Sequence, residues 1–259
     1  MAPRTLGQLV ADSWELYRSA LPEIAAVVAW GAIPAGVLAA ASVALTGIDG
    51  KETLRAAVDA GEYWRVGAAS SLGLFARGLG GLAGLAVYPV AAGRASGARV
   101  LSSEAYAYVF ERLWQLVRTF VRQILFILLG TLCLVVPGII LAFRYALSQP
   151  AVMLEGLNGE AALARSKQFM TGYPGKVLGN MLAAWAMTVL GVLVLVFGVG
   201  LGTVLGELVT PQPLHPLLGA FQGVAGGYVD ALGGAWLTTF LVLLYGDLMR
   251  AHPLADHAG

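Results

Sequence analysis

Charged side chains are scarce in this sequence, and their scarcity excludes an ordinary soluble domain. Asp, Glu, Lys and Arg make up 12% of the residues, whereas soluble domains carry about 25%. Five long segments contain none of the four. Because roughly 20 apolar residues in a helix cross a hydrocarbon core about 30 Å thick, these segments predict a polytopic integral membrane protein. They are Ile24–Ile48, Gly78–Gly93, Ile124–Phe143, Val177–Gly206 and Ala231–Gly246.

Cysteine and histidine are scarce as well. Cys133 is the only cysteine, which excludes an intramolecular disulfide. His252 and His257 stand in a short polar tail with too few neighbouring ligands for a metal site. The net charge is +1 and the basic residues are spread along the chain, a pattern that gives no indication of nucleic-acid binding. We therefore expect no metal, no cofactor and no nucleic-acid partner.

Fourteen of the sixteen basic residues divide unevenly between the two sides of the predicted spans, and Arg77 and Arg144 lie within hydrophobic surroundings. One side holds only Lys51, Arg55 and Arg65. The positive-inside rule places the richer side, and with it both termini, in the cytoplasm. We therefore expect a multi-pass protein of the cytoplasmic (inner) membrane. The residues on the richer side are Arg4, Arg18, Arg94, Arg99, Arg112, Arg118, Arg122, Arg165, Lys167, Lys176 and Arg250.

The segment from Ile124 to Leu154 is interpreted as a hairpin. A single span there would place the following basic residues, such as Arg165, on the outer side. Proline interrupts a helix, so Pro137-Gly138 is the predicted hinge. Each arm would measure about 22 Å, which leaves open whether the hairpin fully crosses the membrane. The predicted fold is all-α, a polytopic transmembrane bundle of about six membrane helices.

A weak threefold repeat runs through the chain. Trp14 and Trp114 stand in similar contexts one hundred residues apart, each ahead of an uncharged segment. The pattern predicts repeat-like units 1–97, 98–155 and 156–250, followed by a polar tail 251–259. Each unit would begin with an amphipathic helix lying in the headgroup region. These predicted interfacial helices are Thr5–Ser19, Ser103–Arg118 and Gly159–Thr171.

Five short segments together resemble one known family. They are Leu6–Tyr17, Pro137–Arg144, Gln149–Gly156, Gly159–Ser166 and Leu244–Arg250. In these motifs the chain is similar to the bacterial and archaeal membrane proteins named after the membrane domain of glycerophosphoryl diester phosphodiesterases, the YciC-like uncharacterised membrane proteins. The resemblance implies a six-helix membrane module and little else. The family's name is not read as an activity for this chain, because the membrane module occupies the 259 residues and leaves no room for a phosphodiesterase barrel.

Ionisable residues within the apolar surroundings are the candidate polar sites. Such residues are costly in a membrane and usually face a partner or a cavity. Arg144 is interpreted either as an anion or headgroup site or as a structural pin, and Glu155 lies eleven residues further on. Arg77 and Asp230 have similar inferred depths and opposite signs, which predicts an interhelical ion pair, either structural or part of an ion pathway. Asp247, near Arg250, is predicted to anchor the cytoplasmic end of the last helix.

Three classes of function remain open from the sequence. We expect a non-enzymatic membrane protein that acts as a scaffold or as a partner subunit. The alternative is a carrier or lipid-handling protein with a site near Arg144. A membrane enzyme is disfavoured, because no nucleophile–base pair or ligand cluster is recognisable. The expected partners are membrane lipids, with other membrane proteins or a second copy of the chain as further alternatives.

The topology predicts which side of the membrane each loop faces. In a Cys133→Ser background, a cysteine introduced beside Arg165 should react only with reagents that reach the cytoplasmic face. A cysteine introduced beside Arg55 should react from the outside and serves as the control. Outside labelling near Arg165 would show that the segment from Ile124 is one span rather than a hairpin.

Overall fold

The chain is helical throughout the part that the structure describes. The computed structural model describes residues 4–172, 174–209 and 215–251, so the polar tail from His252 onward lies outside the described residues. No strand occurs within the described ranges, which confirms the all-α prediction. The helices are α1 Leu6–Ser19, α2 Leu21–Thr46, α3 Lys51–Asp59, α4 Tyr63–Ala95, α5 Ser102–Cys133, α6 Val135–Arg144, α7 Ser148–Glu155, α8 Gly159–Gly172, α9 Pro174–Val209 and α10 His215–Ala251.

Six helical segments of the described chain are long and apolar enough to cross a membrane. Their number matches the predicted six membrane helices, and the chain is a multi-pass integral membrane protein. The segments are Leu21–Asp59, Tyr63–Ala95, Ser102–Cys133, Val135–Glu155, Val177–Val194 and Val224–Ala251.

Two of the predicted interfacial segments form separate helices. The first is α1, which begins after Thr5. The Thr5 hydroxyl accepts a hydrogen bond from the Gln8 N–H, and the Gln8 side chain accepts one from the Thr5 N–H. This reciprocal capping satisfies N–H groups that an α-helix leaves unpaired at its start. The second is α8, which covers Gly159–Gly172.

The third predicted interfacial segment is not a separate helix. Ser103–Arg118 forms the first part of α5, which continues without a break to Cys133, so this prediction was wrong. The reason is local. Pro22 stands in the first turn of α2 and Pro174 is the first residue of α9, positions that start a new helix. The stretch Thr119–Gln123 contains neither proline nor glycine, so nothing ends α5 there.

The predicted hairpin forms, but its turn lies at Leu134 rather than at Pro137-Gly138. Leu134 is extended (φ −164°, ψ 142°) between α5 and α6. Pro137 falls in the first turn of α6, where a missing N–H removes no intrahelical bond. At Gly138 the helices touch, because a Cβ there would lie 2.8 Å from the Thr131 Cα on α5. With 10 residues, α6 measures about 15 Å, half of the hydrocarbon thickness.

Packing divides the chain into two compact units. Unit 1 comprises Met1–Ile24, Leu85–Thr188 and Trp236–Gly259, and unit 2 comprises Ala25–Gly84 and Val189–Ala235. These units do not follow the three repeat-like segments, and the repeat stays a prediction. Within unit 1, α5, α6, α7 and α8 pack against one another.

Within unit 2, α10 packs closely against α2. A Cβ at Gly36 would lie 2.9 Å from the Val224 Cα, so only glycine allows the two backbones to come this near. One turn further along α10, the Tyr228 hydroxyl donates to the Ala25 carbonyl oxygen at 3.1 Å. Small residues at such contacts are typical of membrane helix pairs, where close packing replaces the hydrophobic driving force.

The contact between α5 and α6 predicts a sensitive glycine. Gly138→Ala should lower the free energy of unfolding by about 1–3 kcal/mol, because the added methyl group meets the α5 backbone. Gly191→Ala on α9 is the control: a Cβ added there would have no neighbouring atom within 4 Å, and alanine favours a helix by up to about 1 kcal/mol. Unfolding in detergent measures both. Equal effects of the two substitutions would contradict the close contact.

Candidate functional site

A tight helical hairpin places Glu155 opposite Arg165. Helix α7 ends at Glu155, and Gly156 adopts a left-handed conformation (φ 68°, ψ 16°) that caps it. Glycine reaches this conformation without the steric cost that other residues bear. The chain then reverses and begins α8 at Gly159. Residues ten positions apart in sequence therefore face each other across the turn.

Glu155 and Arg165 form a buried ion pair. The Arg165 Nε lies 3.0 Å from the Glu155 Oε1, and the two side chains are only 4% and 7% exposed. The Arg165 Nη1 also donates to the Gln168 Oε1 at 2.9 Å. Buried charges persist when they are paired and hydrogen-bonded. This pair is joined through the Glu155 Oε1, whereas the Glu155 Oε2 is buried without a hydrogen-bond partner among the described residues.

Helix α10 contributes a third member through Tyr245. Its hydroxyl donates to the same carboxylate oxygen of Glu155, at 2.6 Å. The ring of Phe169 lies beneath the Arg165 guanidinium at 4.4 Å and meets the Tyr245 ring edge-on at 5.2 Å. Cation–π and edge-to-face contacts of this kind are favourable. We call these five residues, Glu155, Arg165, Gln168, Phe169 and Tyr245, the Glu155 cluster.

Ser166, next to Arg165 on α8, fixes the connection between α6 and α7. Its hydroxyl donates to the Arg144 carbonyl oxygen at 2.8 Å and accepts from the Leu147 N–H at 3.1 Å. Ser166 is fully buried, so these bonds satisfy backbone groups that would otherwise be buried unpaired. Arg165 and Ser166 are adjacent on α8. Arg165 binds Glu155 at the end of α7, and Ser166 binds Leu147 immediately before its start.

The structure does not join Arg144 to Glu155. The Arg144 side chain is half-buried, and within the described ranges its guanidinium forms no ion pair. Its main-chain carbonyl is engaged by Ser166. Glu155 is engaged by Arg165 instead, so the two residues singled out together have separate roles.

Asp247 lies where the sequence places it, close to Arg250. The Arg250 Nη2 lies 3.0 Å from the Asp247 Oδ1, and the carboxylate is 8% exposed. Arg4 adds a contact that the sequence did not predict, with its Nε 3.8 Å from the same oxygen. Arg4 also reaches Asp12 on α1 at 3.2 Å. Asp247 therefore connects α10 to the segment that precedes α1.

The predicted ion pair between Arg77 and Asp230 does not form. Both side chains are exposed, and among the described residues no salt bridge joins them to each other or to another group. Similar depth along two helices is not sufficient for a pair, because the two helix faces must also point toward each other. Both residues belong to unit 2, and their helices turn these faces outward.

A cavity of about 210 Å³ lies in unit 1 between α5 and α7. Apolar side chains form most of its lining, and a hydrogen bond of 2.8 Å from the Ser148 hydroxyl to the Gln123 Oε1 lies at its wall. Arg144 is not part of this lining. The lining residues are Leu85, Leu113, Leu116, Val117, Thr119, Phe120, Gln123, Ser148, Gln149 and Val152.

Sequence reasoning missed Arg165 and Tyr245 as site residues. Arg165 was counted only as a cytoplasmic charge, and Tyr245 stood in an apolar run. One local signal was available: Glu155 and Arg165 flank Gly156 and Gly159, a spacing typical of a helix–turn–helix reversal. Within the described ranges, no group of three or more His, Cys, Asp or Glu side chains is arranged to hold a metal ion.

No protein-family model, curated protein or solved structure matches the chain. The resemblance to the phosphodiesterase membrane-domain family therefore stays a prediction. Three of the segments that carry it contribute to one place in unit 1: Glu155, the Arg165-Ser166 dipeptide and Tyr245.

The Glu155 cluster predicts a strong dependence of stability on both charges. Arg165→Met should lower the free energy of unfolding by about 3–5 kcal/mol, because Glu155 stays buried and unpaired. The double variant Glu155→Met with Arg165→Met should lose less than Arg165→Met alone. Tyr245→Phe, which removes one donor to a charged group, should cost about 1–3 kcal/mol.

An exposed pair provides the matched control for that cycle. The Arg122 Nη1 lies 3.6 Å from the Glu160 Oε1, with 41% and 83% of the side chains exposed. Glu160→Gln should therefore change stability by less than about 1 kcal/mol. All variants are compared by unfolding in detergent. The single variant Glu155→Met completes the cycle. A loss in the double variant equal to the sum of the two single losses would contradict a coupled pair.

Proposed function

We propose that this chain is a non-enzymatic protein of the cytoplasmic membrane that acts as a scaffold or partner subunit, with both termini in the cytoplasm. One observation carries the proposal: the buried charges of unit 1 are engaged with one another. Glu155 pairs with Arg165, and Asp247 pairs with Arg250 and Arg4. Charges used in this way stabilise a fixed arrangement of helices rather than a site that must load and release a ligand.

The exposed part of α9 supports the same proposal. Trp185, Leu190 and Phe197 are 59%, 64% and 76% exposed. In a membrane such side chains contact either lipid or the helix of another protein. A scaffold binds its partners through exposed apolar surfaces of this kind. That role requires no catalytic residues.

One observation favours the alternative, a carrier or lipid-handling protein. Arg144 has no acidic partner among the described residues, so its guanidinium is free to bind an anionic headgroup. Arginine binds phosphate through two parallel hydrogen bonds. The cavity between α5 and α7 has an apolar lining suited to an acyl chain, although Arg144 does not line it.

Photo-crosslinking in intact cells, combined with native mass spectrometry, distinguishes the two functions. A photoreactive residue at Leu190 should give discrete adducts with protein, whereas the same residue at the buried Ala184 should give none. Native mass spectra of the purified chain should show lipids in variable number, without one species at a fixed ratio.

A carrier predicts a different pattern in the same measurements. One anionic ligand would remain bound at a fixed ratio, and Arg144→Gln would release it. Arg55→Gln, which removes the same charge from the outer helix α3, would leave that ligand in place. This outcome, together with adducts to lipid alone at Leu190, would replace the scaffold proposal with the carrier.

A further inference from the structure

Arg77 and Asp230 are exposed far from the ends of their helices. Arg77 lies 14 residues beyond the start of α4 and Asp230 lies 15 residues beyond the start of α10, which correspond to about 21 Å and about 22 Å. The exposed Tyr63 and Trp64 at the start of α4 are typical of the membrane surface. We place both charges at hydrocarbon depth because they lie within segments long and apolar enough to cross a membrane, Tyr63–Ala95 and Val224–Ala251.

At that depth neither charge is stable facing lipid. An ionised group in the hydrocarbon is costly unless it is paired. Long basic side chains can extend to the surface, but the short side chain of Asp230 cannot cover such a distance. Within the described part of the chain, neither residue forms an ion pair. Asp230 thus requires an opposite charge that the described part of the chain does not supply, and the exposed Arg77 is a cation of the kind it needs.

Exposed glycines surround both charges. Gly227 and Gly234 lie on the exposed face of α10 beside Asp230, and Gly78 and Gly81 lie beside Arg77 on α4. At none of the four would an added Cβ meet any atom within 4 Å. For Gly78, Gly81 and Gly227, this open space means that crowding by a neighbouring atom does not explain the lack of a side chain.

Other glycines of unit 2 differ in this respect. A Cβ at Gly36 would collide with Val224, and one at Gly233 would lie 3.0 Å from the Val192 side chain. Those glycines allow contacts within the chain. Glycine also weakens a helix relative to alanine, so the exposed glycines have a cost without a local benefit. In membranes, small residues on one face allow a second helix to approach closely.

We propose that the faces around Arg77 and Asp230 bind a second copy of this chain, with Arg77 of each copy paired to Asp230 of the other. The inference rests on the proposed scaffold function and names one of its partners. A second copy of the chain fits these faces by charge, because each copy exposes both a cation, Arg77, and an anion, Asp230. In a two-fold symmetric dimer, a contact between two different residues occurs twice. Each dimer then contains two equivalent ion pairs.

The membrane geometry agrees with a symmetry axis along the membrane normal. The predicted topology has α4 and α10 both running from the outer to the inner side. Rotation about this axis keeps every residue at its depth, and Arg77 and Asp230 lie at nearly equal distances from the outer helix ends. The glycines at positions 78, 81, 227 and 234 would let the backbones approach until these side chains meet.

Mixing two charge-reversed chains tests the proposal. Arg77→Asp alone places two acidic groups together at each contact, and Asp230→Arg alone places two basic groups together. Each variant should raise the Kd of the dimer by at least about tenfold. An equal mixture of the two variants should restore dimers, because both contacts then join opposite charges. Energy transfer between fluorescently tagged chains in lipid vesicles measures the association.

The mixture distinguishes contacts between chains from contacts within one chain. A pair within one chain would not be repaired by adding the other variant, and recovery also shows that both variants are folded. Arg55→Asp on α3 is the matched control and should leave the association unchanged. Absence of dimers in the unaltered chain, or failure of the mixture to recover them, would overturn the proposal.

Failure of this inference and failure of the scaffold function give different results. A chain that remains monomeric but still forms protein adducts at Leu190 would retain a scaffold role with a different partner. A chain with a ligand at fixed ratio that depends on Arg144 would lose the scaffold role, whatever its association state.

Discussion

Two opposite charges held away from water must stay together, because burying either one alone costs several kcal/mol. Glu155 and Arg165 are in this position, and much of unit 1 follows from keeping them in contact. The turn at Gly156 brings α7 and α8 side by side, and Tyr245 joins α10 to the same carboxylate. Ser166 extends the connection to the end of α6. Four helices are thus positioned by one ion pair and its neighbours.

Unit 2 is held together in a different way. Its helices approach through glycine, as at Gly36 against Val224, with a hydrogen bond from Tyr228 nearby. Hydrogen bonds and ion pairs require particular directions between their atoms, whereas close contacts at glycine depend only on the shape of the two helices. Two of the charged residues of unit 2, Arg77 and Asp230, face outward without an ion pair among the described residues. Unit 1 thus engages Glu155 and Asp247 in ion pairs, whereas unit 2 presents Arg77 and Asp230 on exposed helix faces.

The sequence predicts the helices better than it predicts their partners. Runs without charge mark the spans because the bilayer admits few alternatives, and the local pair of Asp247 with Arg250 follows from their spacing of three residues. The contact of Glu155 with Arg165 was missed because it depends on the reversal between α7 and α8. Arg77 and Asp230 were placed together in error. Their helices are apolar on nearly every side, so no polar stripe fixes which face points inward.

The position of Tyr245 in the sequence has a consequence for how the protein is made. Domains of a nascent chain fold from the N-terminus as synthesis proceeds, so α7 and α8 emerge well before α10. Until α10 has been inserted, the Glu155 Oε1 lacks the hydrogen bond from the Tyr245 hydroxyl. A chain that ends before residue 245 would keep that carboxylate in an unfinished setting. The last helix therefore supplies the final polar contact of the Glu155 cluster, and a chain that stops short of it is left with a buried carboxylate that has one donor fewer.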